Sequence, residues 1–100
     1  MAVISKVLAR TAAATSSTTL YTTPAGTTAI VTNIAICNPT ASEVNATVTL
    51  NSVNLLSSVP VSANTTTFID LKQVLAATQI IAGSASTTSV TFHISGVEVA

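Results

Sequence analysis

The sequence has very few charged side chains, and this scarcity limits the partners it can bind. Three of its 100 residues are Lys or Arg and three are Asp or Glu, so the formal net charge is zero. Proteins that bind a phosphate backbone use clusters of cations to displace counterions. We therefore expect no nucleic-acid binding. A net charge near zero also gives little self-repulsion, which favours association with other protein surfaces.

Cysteine and aromatic residues are also scarce. Cys37 is the single cysteine, so no disulfide can form within the chain, and we expect this thiol to be buried or at a subunit contact. Tryptophan is absent, and the aromatic residues are Tyr21, Phe68 and Phe92. Modules that bind sugars or single-stranded nucleic acid present exposed aromatic platforms. Here we expect both phenylalanines to anchor the core, which leaves little for such a platform.

Long apolar runs are missing as well. No segment approaches the roughly 18 to 20 apolar residues that a transmembrane helix requires. At the N-terminus Lys6 and Arg10 flank a short apolar patch, without the continuous apolar stretch of a signal peptide. We expect a protein that is neither inserted in a membrane nor exported by the classical route.

The residues that carry chemistry do not form a catalytic pattern. His93 is the only histidine, and Glu43, Asp70 and Glu98 lie in three separate segments. Nucleophilic catalysis and metal binding need such side chains to converge, and the three isolated glycines do not resemble a phosphate-binding loop. His93 alternates with apolar neighbours, which predicts that it faces away from the core. We expect no catalytic residue, no metal and no cofactor, and thus no enzyme.

Threonine, valine and isoleucine are abundant, and these β-branched residues favour strands over helices. Residues 27–37 alternate with an unusually apolar second face, which predicts a central strand. Asn51-Ser52 is a candidate hairpin turn between two alternating runs. Asp70–Ala77 has the spacing of a short helical turn. A change of parity along the last strand predicts a β-bulge near Gly96.

About seven short strands separated by turn residues predict an all-β fold. We expect one small antiparallel β-sandwich over residues 18–100, of jelly-roll or immunoglobulin-like type, two topologies that the pattern does not separate.

The first 17 residues lack a sustained period and predict an N-terminal arm (1–17) outside the sandwich. Such an arm would gain order and burial only against a partner. A protein that begins near Ser17 is then expected to keep its fold and to bind its partner more weakly. The candidate partner-binding residues are Val3, Ile4, Lys6, Val7, Leu8 and Arg10.

Five segments together resemble a group of small virion structural proteins from tailed bacteriophages, which includes capsid cement or decoration proteins. They are TTLYTTP at Thr18–Pro24, AIVTNIAICN at Ala29–Asn38, VPVSANTTTFIDL at Val59–Leu71, LAATQII at Leu75–Ile81 and VTFHISGVEV at Val90–Val99. The family pattern ends with a glycine followed two residues later by glutamate, here Gly96 and Glu98. Gln79 stands where Asp is common in that family, and the middle of the chain is shorter than in many members.

This resemblance implies a β-sandwich that assembles into homo-oligomers, often trimers, with no active site and no cofactor. The expected partner is the major capsid protein or another virion protein, and the expected location is the virion, with the capsid surface favoured, after synthesis in the host cytoplasm. The alternatives are a tail, collar or fibre-associated virion subunit, and a small receptor- or glycan-binding β module. The apolar second face of residues 27–37 is a further reason to expect a homo-oligomer.

Overall fold

The computed structural model describes residues 3–100, and it contains eight β-strands. They are β1 (Val3–Ala12), β2 (Thr18–Thr22), β3 (Thr28–Asn38), β4 (Val44–Leu50), β5 (Val53–Val61), β6 (Thr65–Leu75), β7 (Ile80–Ala85) and β8 (Thr91–Val99). The predicted all-β class is confirmed.

The strands form two antiparallel four-stranded sheets that pack together. One sheet has the order β1-β8-β3-β6, called the first sheet below, and the other has the order β2-β7-β4-β5, called the second sheet. Only β4 and β5 are neighbours both in sequence and in a sheet. Every other connection crosses between the sheets, so the chain must pass repeatedly over the ends of the sandwich.

The core lies between the sheets and is aliphatic apart from Tyr21 and Phe92. Each strand places alternate residues on the inner face. The largest apolar side chains that are fully buried are Phe92, Ile34, Ile36, Leu75, Ile81, Ile94, Val31, Val48, Val61 and Val90. This burial confirms the predicted core role of Phe92.

Two local predictions are confirmed. β3 lies inside the first sheet, with β8 on one side and β6 on the other. Asn51 and Ser52 connect β4 to β5 with φ values of 49° and 67°, the left-handed backbone that a two-residue hairpin turn requires.

The predicted N-terminal arm and helical turn are both wrong for the described residues. Val3–Ala12 forms β1, which pairs antiparallel with β8 from Val3 opposite Val99 to Ala12 opposite Thr91. This segment becomes a strand because β8 supplies partners for its backbone hydrogen bonds. Residues 70–75 continue β6, because pairing with β3 satisfies their backbone groups better than an isolated helical turn would.

The predicted burial of Phe68 also differs from the structure. Phe68 lies opposite Ala35 on the outer face of the first sheet and is 71% exposed. Cys37, two residues along β3 on the same face, is half-buried and unpaired.

The β-bulge predicted near Gly96 is found on the neighbouring strands. The register of β8 shifts against β1 between Val7 and Ala9, and against β3 between Val31 and Asn33. The extra residues are therefore in β1 and β3, while β8 keeps its alternation. A Cβ added to Gly96 would clash with the carbonyl oxygen of Ile30, so glycine allows these strands to approach closely.

Candidate partner-binding surface

Strand β1 is one edge of the first sheet and carries the residues that the sequence predicts to bind a partner. It pairs only with β8, so one side of its backbone is free among residues 3–100. Val3 is 67% exposed, Ile4 52% and Val7 45%. Arg10 is exposed further along the same strand. The structure therefore places most of the predicted set together on one accessible edge.

Leu8 does not belong to this surface. It is the extra residue at the register shift against β8 and is only 7% exposed. Its Cδ1 atom would lie 2.9 Å from a Cβ added to Gly96, so the side chain packs into the sandwich. Ala9 is buried beside it. Because β1 contributes core residues, removing residues 1–17 is expected to destabilise the fold, contrary to the expectation from sequence.

Lys6 is held in a polar cluster that joins both sheets. Its Nζ atom donates hydrogen bonds to both carboxylate oxygens of Glu98 at 3.3 Å. The hydroxyl of Tyr21 donates a hydrogen bond of 2.5 Å to Glu98 Oε2. Tyr21 belongs to the second sheet, whereas the other two residues belong to β1 and β8 of the first. The Glu98 carboxylate therefore links the edge strand β1 to the second sheet through hydrogen bonds.

This arrangement changes the pKa values of two of its members. Burial and the adjacent Glu98 carboxylate raise the pKa of Tyr21. The hydrogen bond from Tyr21, followed by the contacts with Lys6, lowers the pKa of Glu98. Both shifts favour a neutral phenol beside an ionised carboxylate, which is the state that the hydrogen bonds require.

We expect the acid sensitivity of the fold to depend on Glu98. A carboxyl group whose pKa is depressed by folding stabilises the protein above its unfolded pKa, and this contribution is lost as the pH falls through the folded pKa. The Glu98→Gln variant should therefore lose less stability than the wild type between about pH 6 and about pH 3. Urea unfolding at several pH values measures this slope. Glu43→Gln, at an exposed glutamate, should keep the wild-type slope, and equal slopes for all three proteins would contradict the role of Glu98.

A second exposed surface lies on β6, the opposite edge of the first sheet, and it is not among the surfaces predicted from the sequence. Phe68 and Val74 are 71% and 65% exposed, and Asp70 and Lys72 lie between them on the same face. The signal was present in the sequence, because Phe68 shares its parity with both charged residues. The size of Phe68 favours burial in the core, whereas its alternation with charged residues indicates the exposed face.

The described His, Cys, Asp and Glu side chains do not form a metal-binding cluster. Among residues 3–100, no group of three or more His, Cys, Asp or Glu is placed to hold a metal ion. His93 lies on the outer face between the buried residues Phe92 and Ile94, as its alternation predicts, and its Nε2 atom is 3.4 Å from Thr91 Oγ1.

Neither models of known protein families, nor curated proteins, nor solved structures match this chain. Within residues 3–100 no helix has both the length and the apolar character needed to cross a membrane.

Proposed function

We propose that this chain is a non-enzymatic virion structural protein of a tailed bacteriophage, and that it decorates the capsid by binding and stabilising the head shell. The proposal rests on the resemblance of five segments to that group and on the order of the strands. The strand order is the structural observation that carries it.

We infer that the sandwich is of the jelly-roll type rather than the immunoglobulin-like type. Eight strands arranged as β1-β8-β3-β6 and β2-β7-β4-β5 fit two interlocked Greek keys in which sequential strands alternate between the sheets. An immunoglobulin-like sandwich instead keeps its first two strands and its last two strands together as pairs within a sheet. Jelly rolls recur in viral capsid proteins and in lectins, which makes a virion role consistent with the fold.

The β1 edge is the proposed contact with the major capsid protein or another virion protein. Val3 and Val7 project from the outer face of the first sheet, and Ile4 is half exposed beside them. Arg10 adds an exposed cation further along the strand. Exposed apolar side chains on this edge suit packing against an apolar surface of a partner.

We expect substitutions on this edge to reduce binding to undecorated particles without unfolding the protein. Val3→Asp and Val7→Asp place a carboxylate where the partner would bury an apolar side chain, and the combined variant should show at least about a tenfold loss of occupancy. Sedimentation of particles after mixing measures occupancy, and circular dichroism checks the fold. Val53→Asp is the matched control, because Val53 is also 67% exposed but lies on β5.

Three results would count against the proposal. Equal occupancy of the Val3 and Val7 variant and the wild type would exclude the β1 edge as the contact. No binding of the wild type to heads, together with binding to tails or fibres, would support the alternative of a tail, collar or fibre-associated subunit. Binding to neither, with affinity for a glycan, would support a receptor-binding module.

A further inference from the structure

Strand β6 differs from the other three edge strands because it is long, lacks proline and carries one charge of each sign. Charges, proline, bulges and short length normally protect an edge. β1 carries two cations and the extra residue Leu8, β2 has only five residues, and β5 contains Pro60 and two register shifts. β6 has 11 residues, no proline and one charge of each sign, Asp70 and Lys72, and its register against β3 shifts between Asp70 and Gln73.

The outer face of β6 has a self-complementary order of side chains. Reading along the strand, it presents Phe68, Asp70, Lys72 and Val74 at every second position. Phe68 and Val74 are two of the six large apolar side chains exposed among residues 3–100. The salt bridge found within residues 3–100 joins Lys6 to Glu98, so neither Asp70 nor Lys72 has an ion-pair partner there. Asp70 accepts one hydrogen bond, from Asn33 Nδ2 at 3.0 Å.

We propose that β6 pairs antiparallel with β6 of a second copy of this chain, across a two-fold axis at Leu71. In this register Phe68 lies opposite Val74 of the second copy, and Asp70 lies opposite Lys72 of the second copy. The two-fold axis repeats both pairs. Apolar and opposite-charge pairs directly across an antiparallel ladder are each stabilising. The two first sheets then form one continuous eight-stranded sheet.

The charges select this register over its neighbours. An axis at Asp70 would place the two Asp70 carboxylates opposite each other, and an axis at Lys72 would do the same with the two ammonium groups. Like charges directly opposite are destabilising. Lys72 alone would oppose strand addition, but in the proposed register it meets a carboxylate.

A groove at the end of β6 adds to the complementarity. It lies between β5 and β6 and has a volume of about 220 Å³, with Val53, Leu55, Gln73 and Val74 among its lining residues. In the proposed register Gln73 faces Ile69 of the second copy. Ile69 is only half-buried in the single chain, and it gains apolar neighbours beside this groove. The contact is isologous, so it closes at two copies, whereas the family resemblance implies trimers.

Charge reversal tests the register directly. Light scattering after size exclusion, at micromolar concentration, should give the wild type twice the chain mass of 10.0 kDa. Asp70→Lys and Lys72→Asp each replace two opposite-charge pairs with two like-charge pairs, and each should weaken the dimer about tenfold or more. An equimolar mixture of the two variants should regain the mass of two chains, because each strand then carries the complement of the other. The double variant Asp70→Lys/Lys72→Asp should also pair.

Glu43→Lys is the matched control, since it changes the charge by the same amount at an exposed residue away from β6 and should stay dimeric. A wild type with the mass of one chain or of three chains would overturn the proposal. So would a mixture of the two single variants that remains monomeric while both are folded by circular dichroism. β1 is at the opposite edge of the sheet, so these results are separate from those of the proposed virion contact.

Discussion

Replacing Phe92 with alanine is expected to lower the free energy of unfolding by about 3 to 5 kcal/mol, a large share of the stability of a small domain. Phe92 is fully buried on β8, and it is the one fully buried aromatic side chain within residues 3–100. Its ring reaches the second sheet, where Cε2 would lie 3.5 Å from a Cβ added to Gly83. The neighbouring aliphatic side chains are fixed by two sheets and cannot close the cavity. Urea unfolding at neutral pH measures the loss.

Phe68→Ala provides the control for this prediction. It removes the same side chain from a site that is 71% exposed in the single chain, so the change in the unfolding free energy of the monomer should stay within about 0.5 kcal/mol. The comparison is made at concentrations low enough to dissociate any dimer. Equal losses for the two variants would contradict the inner and outer faces assigned to β8 and β6.

Gly96→Ala is expected to destabilise the protein by about 3 kcal/mol, although it adds only one methyl group. That methyl group would clash with the Ile30 carbonyl oxygen and would lie 2.9 Å from Leu8 Cδ1. The Leu8 side chain can rotate, but the Ile30 carbonyl belongs to a central strand and cannot move without disturbing its pairing. Thermal unfolding of the purified variant measures the effect.

Gly26→Ala is the comparison for this substitution. Gly26 has a φ of 72°, and no atom lies within 4 Å of an added Cβ. The Gly26→Ala substitution is destabilising only because alanine disfavours the left-handed backbone, and it should lower the free energy of unfolding by about 1 kcal/mol. If Gly96→Ala cost no more than Gly26→Ala, the close approach of β8 to β3 would be wrong.

Local patterns predicted the strands whose two faces differ clearly. The alternation of β4 and the Asn51-Ser52 turn are short-range signals, and the structure has both. β3 was expected to be central because its second face is apolar, and Ala35 on that outer face is indeed only 6% exposed. Such signals depend on neighbours a few residues away, so they can be read without knowing the topology.

The errors came from contacts that are distant in sequence. Val3–Ala12 has no clear period of its own, and it becomes a strand because β8, about 90 residues away, supplies its hydrogen bonds. The segment Asp70–Ala77 was assigned a helical turn from the spacing of three apolar residues, yet β3 draws residues 70–75 into a sheet. Phe68 was assigned to the core because large aromatic residues are usually buried.

The candidate surfaces could be predicted only in part, because they too depend on contacts that are distant in sequence. The exposed residues of β1 were identified from their apolar character beside cations, but Leu8 was included because the register shift that buries it depends on β8. The Lys6, Glu98 and Tyr21 cluster joins three strands of two sheets, so no spacing in the sequence indicates it. The β6 surface was missed although its alternation was visible.

The central claim is that this chain is a structural subunit of a virion. The most direct test is quantitative mass spectrometry of purified particles of a tailed phage whose genome carries this sequence, followed by localisation of the subunit by electron cryo-microscopy. We predict that the chain is present in a fixed ratio to the major capsid protein and forms density on the outer surface of the head. Its absence from particles that package DNA and infect normally, although it is expressed in the host, would contradict the claim.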